Sequence, residues 1–270
     1  MPELELKTYD DLKKYVSAFR QKNMGLLIIV SRAGLGKSYL VESELEVEDP
    51  LTLNSHVTPL RFYQLLYNKT KEEKDCLIII DEAEMMFSNP KLKTMLKLLC
   101  DTRTVKTIRY DTTSSLLKKG EYEQSFETGA KVIMLINTLA PKDEHIKAIM
   151  SRGHLVKFEP PDIEVINYLL SWEKIEKKKI DKEIIKFMQT FTPGNSFNLR
   201  TYVKAEESKI SGLDWEAEIL SEIGLDQRLL IMRRILNKYK SEPDRIKAWE
   251  QQTGNERATY FRFKKLLLKR

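Results

Sequence analysis

Residues 24–38 read MGLLIIVSRAGLGKS, from Met24 to Ser38, and the fold follows from this stretch. Five consecutive apolar residues, Leu26 to Val30, have the character of a strand buried on both faces, as in a parallel sheet. They run into Ser31-Arg32-Ala33-Gly34-Leu35-Gly36 and then Lys37-Ser38, and the helix-compatible run SYLVESELE follows. Strand, glycine-containing loop, Lys-Ser and helix are the parts of a phosphate-binding loop. Successive backbone N–H groups in such a loop form a concave anion nest, and the helix adds the positive end of its dipole. Lys37 is placed to reach the β- and γ-phosphates of a nucleotide, and the Ser38 hydroxyl to ligate Mg²⁺. The motif ordinarily opens on glycine, and here that position is Ser31. Serine fits if the backbone there does not need a positive φ.

A second motif, CLIIIDEAE at 76–84, is a buried strand with Asp81 and Glu82 at its C-terminal end. In open parallel sheets the ligand crevice lies at the carboxyl ends of the strands. Asp81 is therefore expected to hold Mg²⁺, directly or through water. Glu82 is expected to polarise a water for in-line attack on the γ-phosphate. A third apolar strand, KVIMLIN at 131–137, ends in Asn137, which there can hydrogen-bond the attacking water or the γ-phosphate. Between and around these strands lie TYDDLKKYVSAFRQK, LTLN, TPLRFYQLLYNK with Thr58 as cap and Pro59 in the first turn, NPKLKTMLKLLCD, KDEHIKAIMSR and HLVKF. Alternating strands and helices of this kind are the doubly wound α/β pattern. The stretch 103–130 reads as irregular and polar, with one short strand in VKTIRY. Its Lys106, Arg109, Lys118 and Lys119 belong either to a plain surface loop or to an insertion that touches nucleic acid in a ring pore. After Pro160-Pro161 three helical segments follow with no strand between them: DIEVINYLLSWEK, KEIIKFMQTF and FNLRTYVKAEES, the third preceded by Pro193-Gly194-Asn195.

Hydrophobic residues make up 41% of the 270, an ordinary globular share. No apolar run is long enough to span a bilayer, and the acidic start MPELELKTYDDL lacks a signal-peptide pattern. Cys76 and Cys100 each border an apolar element and read as small core residues; His56, His145 and His154 lack metal-ligand spacing. These features lead to the expectation of a reduced, cytoplasmic protein with no membrane partner. The net charge of +6 is uneven: residues 225–270 carry +8 and the remainder −2. That asymmetry points to a polyanionic partner for the C-terminal end. There PDRIKAWEQQTG and ERATYFRFKKLLLK flank Thr253-Gly254-Asn255 in the manner of a helix-turn-helix. In a major groove Thr259 and Arg262 would lie near base edges, with Arg257, Lys264 and Lys265 completing the DNA contact. Tyr260, Phe261 and Phe263 read as packing a small core. The other reading of this end is a basic helical bundle that binds a protein or only keeps the chain in solution.

Taken in order, SRAGLGKS, LIIIDE, the strand ending in Asn137 and IMSRGHLVKF resemble the AAA+ ATPase family, over residues 8–210. The resemblance implies ATP and Mg²⁺ as ligands and a sheet in the order 5-1-4-3-2. It implies sensor 1 at Asn137, an arginine finger at Arg152 and a sensor-2 arginine at Arg200. Surface positions are the other reading of both arginines. It makes residues 1–159 a nucleotide-binding domain and 160–211 a helical lid; beyond the joint at Ser211-Gly212, the charge and the helix-turn-helix pattern make 212–270 a basic C-terminal helical domain expected to bind DNA. It further implies a homo-oligomer, either a ring or a helical filament, and work on DNA in replication initiation, helicase loading or as a helicase, with a helicase or replication protein as partner. Two other functions fit the same parts: an ATP-switched DNA-bound regulator or transposition adaptor, and a protein-remodelling ATPase.

Overall fold

The run Leu26–Val30 forms β2, and all five of its residues are buried. The computed structural model describes residues 4–21, 23–53, 57–110, 122–138, 144–175, 177, 179–191 and 196–268. His56, Lys118, Lys119 and Pro193-Gly194-Asn195 lie outside the described residues. The chain divides into two compact units, Met1–Pro160 and Pro161–Arg270.

In the first unit, β1 (Leu4–Leu6) and α1 (Tyr9–Arg20) precede β2. Then come α2 (Lys37–Leu45), β3 (Leu51–Leu53), α3 (Pro59–Glu72), β4 (Leu77–Ile80), α4 (Ala83–Met86) and α5 (Pro90–Leu99). They are followed by β5 (Lys106–Arg109), β6 (Ser125–Thr128), β7 (Lys131–Ile136), α6 (Glu144–Met150) and β8 (His154–Phe158). The sheet runs β1-β8-β2-β7-β4-β3, with every neighbouring pair parallel. Numbering only the five strands of this sheet that were read from the sequence, this is the order 5-1-4-3-2. The sixth strand, β1, extends the edge beside β8, pairing Leu4–Leu6 with Val156–Phe158. The central strands are apolar on both faces because helices cover both. On α1, Leu12, Val16 and Phe19 are fully buried, and the Thr8 side chain caps the helix by accepting from the Asp11 N–H. Cys76 and Cys100 are free thiols inside the core, and burial pushes the Cys100 thiol up to about 12. Among the described residues no helix is long and apolar enough to cross a membrane.

The stretch 103–130 differs from its reading as irregular. β5 is the expected strand, but β6 pairs with it as an antiparallel hairpin, Lys106 opposite Thr128 and Arg109 opposite Ser125. The hairpin is fastened to α3 by aromatic rings. Tyr63 lies 5.4 Å from Tyr110 and 5.2 Å from Phe126, and Tyr67 lies 5.3 Å from both Phe126 and Tyr122. Such pairs add about 0.5–1.5 kcal/mol each beyond their buried area. Arg109 is exposed, but Lys106 is not the surface cation that the sequence suggested. It alternates inward with Ile108, is 2% exposed, and donates its ammonium to the Ala130 carbonyl.

The second unit is helical throughout its described residues: α7 (Asp162–Ile175), α8 (Lys182–Phe191), α9 (Leu199–Ile210), α10 (Trp215–Glu222), α11 (Arg228–Lys238), α12 (Glu242–Thr253) and α13 (Arg257–Leu268). Of these, α7, α8, α9, α12 and α13 correspond to segments read as helical from the sequence. The protein's three tryptophans, Trp172, Trp215 and Trp249, all lie in this unit.

Burial pushes the Lys106 ammonium below its ordinary value of 10.5. Between the depressed folded value and the unfolded one, the unfolded chain binds more protons, so stability from this group rises with pH. Lys106→Met removes that dependence. In urea unfolding, the stability of the wild type relative to Lys106→Met should therefore grow as pH is raised towards 10. The growth within the window is up to about 1.4 kcal/mol per pH unit. A difference that stays constant from pH 7 to 10 would count against a buried, charged Lys106.

Candidate nucleotide-binding site

β2 delivers the chain to Ser31, which is buried, and whose N–H donates to the Ile136 carbonyl at 3.0 Å. Ser31 is not among the positive-φ residues, so the position does not require the glycine of the usual motif. The two glycines that follow do use their freedom: Gly34 has φ 81° and Gly36 φ 73°. Gly36 caps α2 without a side-chain hydrogen bond, so the first N–H groups of that helix face the loop with no side-chain cap. From the other side, the Tyr9 hydroxyl donates to the Leu35 carbonyl at 2.8 Å and fixes the loop to α1. Lys37 is 6% exposed; its Nζ donates to Asn137 Oδ1 and, at 3.5 Å, to the Ser31 carbonyl. The loop lysine and the end of β7 thus meet directly, as the parallel pairing of β2 with β7 allows.

β4 ends beside this loop. The Asp81 N–H donates to the Leu53 carbonyl at 2.9 Å, and the Asp81 carboxylate accepts from the Glu82 N–H at 2.9 Å. Glu82 is exposed and adopts a left-handed conformation, φ 52°, that turns the chain from β4 into α4. Strained backbone of this kind in a residue other than glycine is concentrated at functional sites. Glu42 lies one helical turn after Ser38 on α2. Burial, and secondarily the negative charge of Asp81, holds its carboxyl above the usual range. A hydroxyl and a carboxylate are the hard oxygen donors that suit Mg²⁺, which keeps water and phosphate oxygens in its other positions. Among the described residues no group of three His, Cys, Asp or Glu side chains forms a protein cage, and Mg²⁺ held in this way needs none.

One residue of this crevice was not singled out in the sequence. The Asn137 N–H donates to Glu84 Oε1 at 3.1 Å. The only signal was its spacing in Asp81-Glu82-Ala83-Glu84, three residues after Asp81 at the start of α4.

The remaining candidates lie elsewhere. Arg152 precedes β8, whose His154 is level with Leu27 near the start of β2. It sits at the N-terminal end of the sheet, roughly 17 Å of strand from its own phosphate loop, at about 3.3 Å per residue. Its guanidinium donates to the Lys97 carbonyl at 2.6 Å, lies 3.8 Å from the Asp101 carboxylate and remains 26% exposed. Arg200 is exposed in the first turn of α9, where its N–H donates to Asn198 Oδ1 at 2.8 Å. In the last three helices Trp249, Tyr260 and Phe263 form the core, as read, whereas Phe261 is 43% exposed. Gly254, with φ 66°, ends α12 and opens the turn to α13. Arg257, Arg262 and Lys265 are exposed and Thr259 is half-buried. Lys264 is tied down, its Nζ 2.7 and 2.8 Å from the two Glu242 carboxylate oxygens.

No protein-family model matches the sequence, and no curated protein matches it. Solved structures do. The Aeropyrum pernix ORC1 protein in complex with DNA aligns with 96% of this chain and 82% of its own, at 10% identity and a TM-score of 0.50. A mutant of RuvB from Thermotoga maritima aligns with 93% of this chain and 83% of its own, at 12% identity and a TM-score of 0.49. Domain III of the Thermotoga maritima replication initiation protein DnaA aligns with 90% and 91%, at 16% identity and a TM-score of 0.43. With the ORC1 likeness, the parallel order 5-1-4-3-2 and a phosphate loop between β2 and α2, the chain has the α/β fold of the AAA+ ATPases.

Proposed function

We propose that this chain is a Mg²⁺-dependent ATPase that couples ATP binding and hydrolysis to work on DNA. The observation that carries the proposal is Lys37: a buried ammonium in the first turn of a helix whose N-terminus has no side-chain cap, bonded to Asn137 and to the Ser31 carbonyl. A triphosphate seated in residues 31–38 takes hydrogen bonds from the loop N–H groups. Lys37 then exchanges its contacts to Asn137 and Ser31 for β- and γ-oxygens. Ser38 Oγ and Asp81 would hold Mg²⁺, which would supply positive charge against that developing on the transferred phosphoryl group. Glu82 accepts a hydrogen bond from a water in line with the γ-phosphorus, and Asn137, released by Lys37, orients that water. The new P–O bond to water forms as the bond to the ADP oxygen breaks. Arg152 serves a neighbouring subunit. The excess of +8 over residues 225–270 and the exposed Arg257, Arg262 and Lys265 suit a duplex ligand, and the ORC1 structure of the same fold contains DNA. Replication initiation or helicase loading is the form of work that fits these parts, with a helicase or replication protein as partner.

Lys37→Ala should abolish ATP binding, measured by titration with a fluorescent nucleotide. Glu82→Gln should bind ATP and lose turnover by about 10²–10⁴-fold. Full ATPase activity in Glu82→Gln would remove the water-polarising role.

Replacing Arg257, Arg262 and Lys265 together by Ala should weaken duplex binding. The slope of log K against log salt should flatten by about 0.9 for each phosphate that the variant no longer neutralises. Lys264→Ala should change affinity less, because its ammonium already serves Glu242, and exposed pairs of this sort contribute about 0–1 kcal/mol to stability. An unchanged salt slope in the triple variant would move the DNA site elsewhere.

Arg152 stands too far along the sheet to assist its own site, so its contribution is made in trans across a head-to-tail contact. Turnover should rise with protein concentration, ATP should promote oligomers, and Arg152→Ala should bind ATP but hydrolyse it poorly. Mixing inactive Arg152→Ala with inactive Glu82→Gln should restore activity, since composite sites then receive both wild-type groups. Mixtures that co-assemble without recovering activity would leave Arg152 as an anchor for the end of α5.

A further inference from the structure

The peptide unit between Ile136 and Asn137 is held at both of its polar ends. Its carbonyl accepts from the N–H of Ser31, the first residue of the phosphate loop, at 3.0 Å. Its N–H donates to Glu84 Oε1 at 3.1 Å. Asn137 stands one residue beyond β7, and β4 has by then turned away through the left-handed Glu82 into α4, which packs against β7. A side chain from α4 thus supplies the acceptor at the end of the strand. A carboxylate acceptor on a backbone N–H makes a charge-assisted bond, roughly twice as strong as a neutral one.

Fixing that peptide plane fixes the Asn137 N–Cα bond, the axis from which its side chain departs. The Asn137 Oδ1 then meets the Lys37 ammonium. One peptide unit therefore joins three parts: the start of the loop through Ser31, the loop lysine through Asn137 and the acidic turn through Glu84. The second oxygen of Glu84, Oε2, is buried and has no hydrogen-bond partner among the described residues. A covered carboxylate oxygen without a protein partner is uncommon in a native protein.

We propose that Glu84 is a positioning residue for the phosphate site: through the Asn137 N–H it aims the Asn137 amide at the place where Lys37, and then the γ-phosphate and its water, are found. The proposal rests on the ATPase reading for its consequence in turnover, but not for the bond itself. Glu84 touches neither nucleotide nor water; its effect is carried by the backbone of Asn137. What the bond needs is an acceptor and not a charge, so glutamine at 84 should serve and alanine should not.

The test compares Glu84→Gln, Glu84→Ala, Asn137→Ala and the double variant Glu84→Ala/Asn137→Ala in the full chain. Glu84→Gln should keep kcat within about threefold of wild type, while Glu84→Ala should lose on the order of 10²-fold, the loss typical of a misaimed group. ATP affinity should change little in either. Glu84→Ala should cost little further activity in the Asn137→Ala background, since the group it aims is already gone. A purely structural role would add its cost in both backgrounds. Amide hydrogen exchange and side-chain NMR read the bond directly. The Asn137 N–H should exchange slowly in wild type and Glu84→Gln and fast in Glu84→Ala, and the Asn137 side-chain amide resonances should move only in Glu84→Ala. Unchanged exchange and resonances in Glu84→Ala would overturn the proposal, as would a loss in Glu84→Gln equal to that in Glu84→Ala. If the wild type hydrolyses no ATP, the proposed function fails by itself, and the exchange and resonance comparison still decides Glu84.

Discussion

The buried ammonium of Lys37 is the constraint from which the site follows. A cation taken out of water is costly unless oxygens surround it, and here the Ser31 carbonyl and the Asn137 amide supply them. Both oxygens come from chain ends that the sheet brings together: Ser31 leaves β2, Asn137 leaves β7, and the two strands are neighbours in parallel register. Both acceptors are neutral oxygens, which satisfy the ammonium without cancelling its charge.

The order of the strands has a chemical result. Placing β7 between β2 and β4 sets Asn137 between the phosphate loop and the Asp81–Glu82 turn, so that one strand end can be read by both. It also sets Arg152 at the far end of β8, where its guanidinium closes the carbonyls of α5. The same sheet thus carries its two groups at opposite ends: Lys37 and Asn137 at the carboxyl ends of the strands, Arg152 at the other. The hairpin of β5 and β6 is separated from β7 by two residues, Gly129 and Ala130. Its aromatic fastening to α3 makes it part of the same body as the sheet.

Much of the fold was legible because β2, β4 and β7 are continuous apolar runs, and only strands covered on both faces need such runs. Most helices of the second unit were legible as helical segments, whereas caps such as Ser241 and Asp214, which accept from N–H groups three residues on, emerged only from the structure. The strands that escaped notice are short and mixed. β1 is three residues at the sheet edge with Leu4 and Glu5 exposed, and β6 alternates Phe126 and Thr128 inward with Ser125 and Glu127. Neither differs from a polar loop until a partner strand is beside it. Lys106 was misread for a related reason: a lysine in a polar stretch looks like surface, and only the pairing of β5 turns it inward. Glu84 was invisible in a different way. Its role depends on a backbone N–H that is contiguous in space and fifty-three residues away in sequence.

The distribution of tryptophan gives the molecule an optical asymmetry. Trp172, Trp215 and Trp249 all belong to residues 161–270, while the phosphate loop, Asp81, Asn137 and the aromatic cluster of the hairpin lie in a unit whose fluorophores are tyrosines. Light absorbed at the red edge of the protein spectrum, where only indole absorbs, therefore interrogates the helical unit alone. Melting of the nucleotide-binding sheet is silent at that wavelength and visible only in tyrosine absorbance or in the far ultraviolet. A denaturation curve followed by indole emission thus describes one unit, and its disagreement with a dichroism curve measures how independently the two halves of the chain unfold.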